Sequence, residues 1–146
     1  MPRKRRAHVE VFVSHSSRNA AFVKRLVEVL QAHGLRTFFS QKNIRGAQQW
    51  HDEIGAALSR CSWFIVVLTP QSVVSEWVKH EFVYALQDRR YRGRIIPALY
   101  KTCDFKKLSW TLSSLEYVDF RKDFDQGCRD LLAVWKLKYR NAIESN

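Results

Sequence analysis

The segment WFIVVLT, residues 63–69, constrains the fold of this chain more than any other segment. It is apolar almost throughout, yet it is far shorter than the ~20 residues that a membrane-spanning helix needs. A strand with apolar side chains on both sides must be covered on both faces, which is typical of parallel sheets between two layers of helices. The segment therefore predicts a buried strand of an α/β domain.

Four further strand-like segments alternate with helical patterns along the chain. The predicted strands are residues 8–14, 35–39, 63–69, 94–100 and 114–120, and the predicted helices follow SSRN up to about residue 33 and span about 50–61, 76–88 and 123–140. Five strands alternating with helices predict a flavodoxin-like α/β fold, a five-stranded parallel sheet of order 2-1-3-4-5 with helices on both faces. Pro97 lacks an N–H and predicts a bulge or an edge position in the fourth strand.

Composition fits one globular domain with one core, because 46% of the 146 residues are hydrophobic and 13% are aromatic. We expect a basic, flexible tail at residues 1–7, a single domain at 8–140 and a C-terminal tail at 141–146. The basic start MPRKRR has no apolar stretch behind it, which argues against a secretory signal. Three widely separated cysteines indicate reduced thiols, so we expect a cytoplasmic protein. No apolar run approaches the ~20 residues of a membrane helix, so we expect no membrane partner.

The net charge of +11 raises the possibility of a nucleic-acid-binding protein, whose affinity would fall steeply with salt. The sequence has neither a basic strand interleaved with aromatic residues nor a recognition-helix pattern to support it. Runs of charge are usually solvated surface. Nucleic acid is therefore not the expected partner.

Glu81 interrupts an otherwise apolar helical stripe. Trp77 and Ala85 lie four positions to either side of it, and Val78 and Tyr84 lie three positions away, so all five share one face. Burying an ionised carboxylate without a partner is costly. Two explanations remain open from spacing alone: a structural ion pair with an arginine, or a functional carboxylate at the rim of a crevice.

The predicted sheet order places several polar residues beside Glu81. In such sheets, ligands bind beyond the carboxyl ends of the strands, near the switch point between the first and third strands. Ser14 and His15 lie there, as does the polar loop 40–48, although the first two could simply cap the following helix and Lys42 and Arg45 could be solvated charges. No metal site is expected, because the segment HEFVY has Tyr84 where a zinc helix needs its second histidine.

Three longer segments together resemble the TIR (Toll/interleukin-1 receptor) domain family, in the style of its short bacterial members. They are VFVSHSSRNAAFVKRLVEVLQAHGLRTFF, NIRGAQQWHDEIGAALSRCSWFIVVLTPQSVVSEWVKHEF and RIIPALY. The resemblance runs from about residue 8 to residue 137. Many members carry Asp directly after the second strand, where this chain has Ser40.

The resemblance implies an activity and a set of site residues. Many bacterial members cleave NAD+ at the nicotinamide–ribose bond with a glutamate four residues after a tryptophan, which here is Glu81 after Trp77. It implies that NAD+ is a substrate and not a cofactor, and that the product is ADP-ribose or a cyclic isomer of it. The resulting substrate contacts are Trp77 stacking on nicotinamide or adenine, Ser14 and His15 at the ribose or the amide, and Lys42 and Arg45 at the pyrophosphate.

The resemblance also implies self-assembly. In this family the loop after the second strand often packs on a neighbouring domain, which places Ile44, Arg45 and Gly46 at an oligomer contact with other TIR domains. A sensor or activator protein and a setting in bacterial antiphage defence are further implications. The alternative function is a non-catalytic TIR scaffold that recruits other TIR domains, which would tolerate loss of Glu81 but not of the loop.

Overall fold

A computed structural model describes residues 9–40 and 47–141, and its described part contains a parallel sheet of order β2-β1-β3-β4-β5. The elements are β1 Glu10–Ser14, α1 Ala20–Ala32, β2 Arg36–Phe39, α2 Ala47–Arg60, β3 Trp63–Leu68, α3 Glu76–Gln87, β4 Ile95–Leu99, β5 Val118–Asp119 and α4 Phe124–Ala133. The predicted fold class and strand order are confirmed.

Successive side chains along each strand point to opposite faces of the sheet, so the core consists of two apolar layers, one on each face. Val11 of β1 packs with α1 and α4 on one face of the sheet, whereas Phe12 packs with α2 and α3 on the other. In β3, Ile65 belongs to the first layer and Phe64 to the second, so this strand is covered on both faces as its sequence predicts. Among the described residues, no helix has the length and apolarity to cross a membrane.

Pro97 occupies a regular position inside the sheet, so the predicted bulge or edge is wrong. β4 lies between β3 and β5, and Pro97 is paired in register with Val66. The N–H of Tyr100 donates to β3, and N–H groups alternate in direction along a strand, so the Pro97 nitrogen faces the β5 side. There β5 pairs only with Ala98 and Leu99, so the missing N–H breaks no ladder bond.

Two predicted elements are shorter than the sequence pattern indicates. Residues 110–114 form a 3₁₀ helix, capped by the Ser109 side chain accepting from the Thr111 N–H, and this leaves only two residues for β5. α4 ends at Ala133 and not near residue 140, because Lys136 adopts a left-handed φ of 58° that redirects the chain. The Tyr139 hydroxyl then donates to Asp125 Oδ1 at 2.7 Å, which secures the returning segment.

Gly127→Ala is expected to destabilise the fold by about 2 kcal/mol, because a Cβ at this position would lie 2.3 Å from Cδ1 of the buried Phe120 ring and would overpack the core. Urea unfolding measures the change. Gly55→Ala in α2 is the matched control: a Cβ there meets nothing within 4 Å, so we expect a gain of about 0.5–1 kcal/mol from helix propensity. Equal effects of the two substitutions would contradict the packing argument.

Candidate active site

The site lies at the switch point of the sheet, between β1 and β3, where the strand order reverses. β1 lies between β2 and β3, so the loops that leave its carboxyl end and that of β3 diverge to opposite faces. Ser14 is the last residue of β1 and is paired with Val66 of β3. Ser75 caps α3 by accepting from the Val78 N–H, and the helix then carries Glu81 back across the end of β1.

Glu81 is buried, with 3% of its surface exposed, and two neutral donors satisfy it. The Ser14 hydroxyl donates to Oε1 at 2.6 Å, and the Trp77 indole N–H donates to Oε2 at 3.0 Å. Among the described residues no basic side chain forms an ion pair with this carboxylate. The structural explanation by an arginine partner is therefore wrong for this part of the chain.

Burial raises the pKa of Glu81 to about 7, and the hydrogen bonds from Ser14 and Trp77 oppose that rise because they stabilise the ionised form. A carboxyl group with a pKa near neutrality can change protonation under working conditions, which is a property of groups that act in acid–base or electrostatic catalysis.

Trp77 occupies the border between the core and the surface. Its side chain is half-buried, one helical turn before the carboxylate it binds. The rings of His51 from α2 and His80 from α3 approach its indole edge-to-face, with centroids at 5.8 Å and 6.3 Å. The indole thus joins α2 and α3 at the edge of the sheet where Glu81 lies.

His15 lies at the same edge, and 7% of its surface is exposed. Its Nδ1 is 2.8 Å from the Ser16 carbonyl oxygen, which can only accept, so Nδ1 carries the proton. Burial lowers the pKa of His15, and hydrogen bonds with the backbone of Ser16 and Ser40 oppose that shift. Neither Ser14 nor His15 caps the following helix, because Ser16 accepts the Arg18 N–H there.

A buried polar network that the sequence analysis missed joins the two loops beside the site. The Thr69 hydroxyl donates to Asn19 Oδ1 at 2.8 Å and accepts from the Ser72 N–H at 3.0 Å. The Ser72 hydroxyl in turn accepts from the Thr69 N–H at 2.9 Å. In the sequence, Asn19 and Ser72 resemble ordinary residues at the start of a helix. The one signal that both could contact Thr69 is that each follows a strand ending at the same edge of the sheet.

The remaining predicted site residues, Lys42, Ile44, Arg45 and Gly46, lie outside the described residues. Within the described ranges, no group of three or more His, Cys, Asp and Glu side chains has an arrangement that could hold a metal ion. The assembled part of the predicted site is therefore Glu81, Trp77, Ser14 and His15.

A cavity of about 760 Å³ lies at the opposite, amino-terminal end of the sheet. Trp63 at the start of β3 and Ile95 at the start of β4 line it, together with Tyr117 and Val134. None of the four assembled site residues contributes to its wall. The volume of this cavity therefore says nothing about the chemistry at Glu81.

Comparison with known proteins gives a family and a fold. A family model described as "TIR domain" matches residues 11–132. No curated protein matches the sequence. Among solved structures, the TIR domain of the Toll-related receptor TRR-2 from Hydra magnipapillata is similar, with a TM-score of 0.70 and 20% identity over 85% of this chain and 95% of that one.

Two further structures share the fold. The TIR domains in the activated Roq1 resistosome that recognises the effector XopQ have a TM-score of 0.68 and 16% identity, over 87% of this chain and 99% of theirs. The CMP N-glycosidase BcmB of Clostridium botulinum has a TM-score of 0.59 and 18% identity, over 85% of this chain and 98% of its own. At these identities the likeness concerns the fold alone.

Proposed function

The chain belongs to the TIR domain family, and on that premise we propose that it is an NAD+ glycohydrolase or cyclase that breaks the bond between nicotinamide and ribose. The observation that carries the proposal is the buried Glu81 carboxylate, whose two oxygens are bound by Ser14 and Trp77. NAD+ is the substrate in this proposal, and no cofactor takes part.

The chemistry needs one well-placed negative charge. When the C1′–N bond breaks, its electron pair leaves with nicotinamide, which departs neutral and needs no acid. Positive charge gathers on the ribose as an oxocarbenium ion, and a fixed carboxylate in a site of low dielectric stabilises it. Water then bonds to C1′ and loses a proton to give ADP-ribose, whereas capture by an adenine nitrogen or a ribose hydroxyl gives a cyclic isomer.

Glu81 meets the requirement for a fixed charge. The two hydrogen bonds hold the carboxylate plane, so little reorganisation is needed as charge develops on the substrate. With a pKa near 7, about half of the protein carries the ionised form at neutral pH. The expected acidic limb of the rate therefore lies near that pH.

Other side chains complete the proposed substrate site. The Trp77 indole ring is assigned to stacking on nicotinamide or adenine, while its N–H stays bound to Glu81. His15 contributes at the ribose or the amide. Lys42 and Arg45 are assigned to the pyrophosphate, as the family resemblance implies.

Assembly forms the second part of the proposal. Ile44, Arg45 and Gly46 would contact a neighbouring TIR domain, and a sensor or activator protein would drive that association. The proposed setting is bacterial antiphage defence, where loss of NAD+ or a nucleotide signal follows infection. One similar structure comprises the TIR domains of the activated Roq1 resistosome.

Chromatography of NAD+ and nicotinamide over a range of protein concentrations, with and without a crowding agent, tests the proposal. We expect equal amounts of NAD+ lost and nicotinamide released, with a rate per protein molecule that rises with concentration. CMP is the comparison substrate, because a protein of the same fold is named for cleaving it. Intact NAD+ in the presence of assembled protein would favour the scaffold function, and cleavage of CMP alone would change the substrate.

A further inference from the structure

We propose that Ser14 is a positioning residue for Glu81 and not a contact for the substrate. The inference rests on the proposed function, and it reassigns a residue that the sequence analysis placed at the ribose or the amide. Ser14 and Trp77 together would hold the carboxylate in one orientation and in its charged form.

The hydrogen-bond geometry commits the Ser14 hydroxyl to Glu81. A serine hydroxyl has a single hydrogen to donate, and here it is directed at Oε1 over 2.6 Å. An O–H···O bond of this length is typical of a donor to an ionised carboxylate. With that hydrogen directed at Glu81, the hydroxyl has no further hydrogen to donate to a substrate.

The backbone at Ser14 is rigid enough to define where the carboxylate lies. Ser14 is the last residue of a central strand and is in register with Val66 on its neighbour. Trp77 approaches Oε2 from one helical turn away on α3. Because one donor belongs to the sheet and the other to the helix, a rotation of the carboxylate would break at least one of the two hydrogen bonds.

The two donors also set the charge state of Glu81. Each stabilises the ionised form and lowers the pKa of a carboxyl group that burial alone would raise further. Among the described residues, three histidines lie near the site: His15 directly follows the end of β1, and His51 of α2 and His80 of α3 contact Trp77. Among the described residues, no Asp, Glu, Lys or Arg pairs with Glu81, so no ion pair masks the loss of a hydrogen bond.

The kinetic test is the pH profile of Ser14→Ala, measured from pH 6 to 9 on NAD+. Removal of one hydrogen bond to a buried carboxylate should move the acidic limb of kcat by about one pH unit to higher pH. At pH 7 the ionised fraction then falls about 5-fold, and at pH 9 the rate returns close to that of the wild type. A raised KM at every pH with an unmoved limb would show a substrate contact and overturn the proposal.

A second readout does not depend on activity. In ¹³C NMR titrations, with the Glu81 carboxyl signal assigned by its absence in Glu81→Gln, Ser14→Ala and Trp77→Phe should each raise the pKa of Glu81. Ser14→Thr should restore it, because threonine keeps the hydroxyl, and Ser62→Ala is the matched control on a serine that contacts the backbone of Glu10. An unchanged pKa of Glu81 in Ser14→Ala would overturn the inference, even if the protein cleaves NAD+. If the pKa rises but the protein does not cleave NAD+, the positioning role of Ser14 stands and the proposed function is refuted.

Discussion

Glutamine in place of Glu81 is expected to lower the rate of nicotinamide release from NAD+ by roughly 10³-fold, a magnitude typical for the loss of one preorganised electrostatic group. The substitution removes the charge and retains the shape of the side chain. The amide oxygen can still accept from the Trp77 N–H, and the Ser14 hydroxyl can rotate to accept from the amide nitrogen. The folded site should persist, so the loss would report on charge and not on packing.

Glu76→Gln is the matched control for this prediction. It makes the same chemical change in the first turn of the same helix, at an exposed position, and should cost only the few tenths of a kcal/mol expected for an acidic residue near a helix N-terminus. Its rate on NAD+ should stay within about 2-fold of the wild type, since so small a change in stability leaves the folded population intact. An active Glu81→Gln variant would remove the carboxylate from the mechanism, whatever the overall activity of the protein.

The sequence allowed the sheet and the position of Glu81 to be predicted because both follow from local periodicity. The apolar run of β3 required cover on both faces, and α1 and α4 on one face and α2 and α3 on the other supply it. A charge in an apolar helical stripe required a partner, and Ser75 marked where that helix begins. These inferences use residues no more than a few positions apart.

The partners of Glu81 were harder to predict because one of them is distant in sequence. Ser14 lies 67 residues away and is brought to Oε1 by strand pairing, which periodicity does not encode. An arginine partner was one of the two explanations open from spacing, because charge pairs are a common way to bury a carboxylate. The predicted end of α4 near residue 140 was wrong for a related reason, because nothing in the apolar pattern of the segment reveals the left-handed backbone at Lys136.

Glu81 should also make the fold less stable as the pH rises through neutrality. Its pKa is about 7 in the folded protein against an ordinary value of 4.5, so between these values the folded state binds more protons than the unfolded state. Stability then decreases with increasing pH, by about 3 kcal/mol between pH 4 and pH 9, since each pKa unit corresponds to about 1.36 kcal/mol. Urea unfolding across this range measures the free energy of unfolding at each pH.

The contribution of Glu81 is the difference in the free energy of unfolding between the wild type and Glu81→Gln at each pH. This difference is needed because His15 changes stability with pH in the opposite direction. Burial lowers the pKa of His15, so the unfolded state binds more protons below its ordinary value of 6.5, and this contribution to stability rises with pH. Glutamine does not titrate, whereas His15 is common to both proteins and cancels. The wild type should therefore lose stability relative to the variant as the pH rises through 7, and two parallel profiles would mean that Glu81 titrates at its ordinary pKa. Such a pH-dependent loss is the thermodynamic consequence of keeping a charge in a buried site, and it links the stability of the domain to the same ionisation that the proposed cleavage of NAD+ requires.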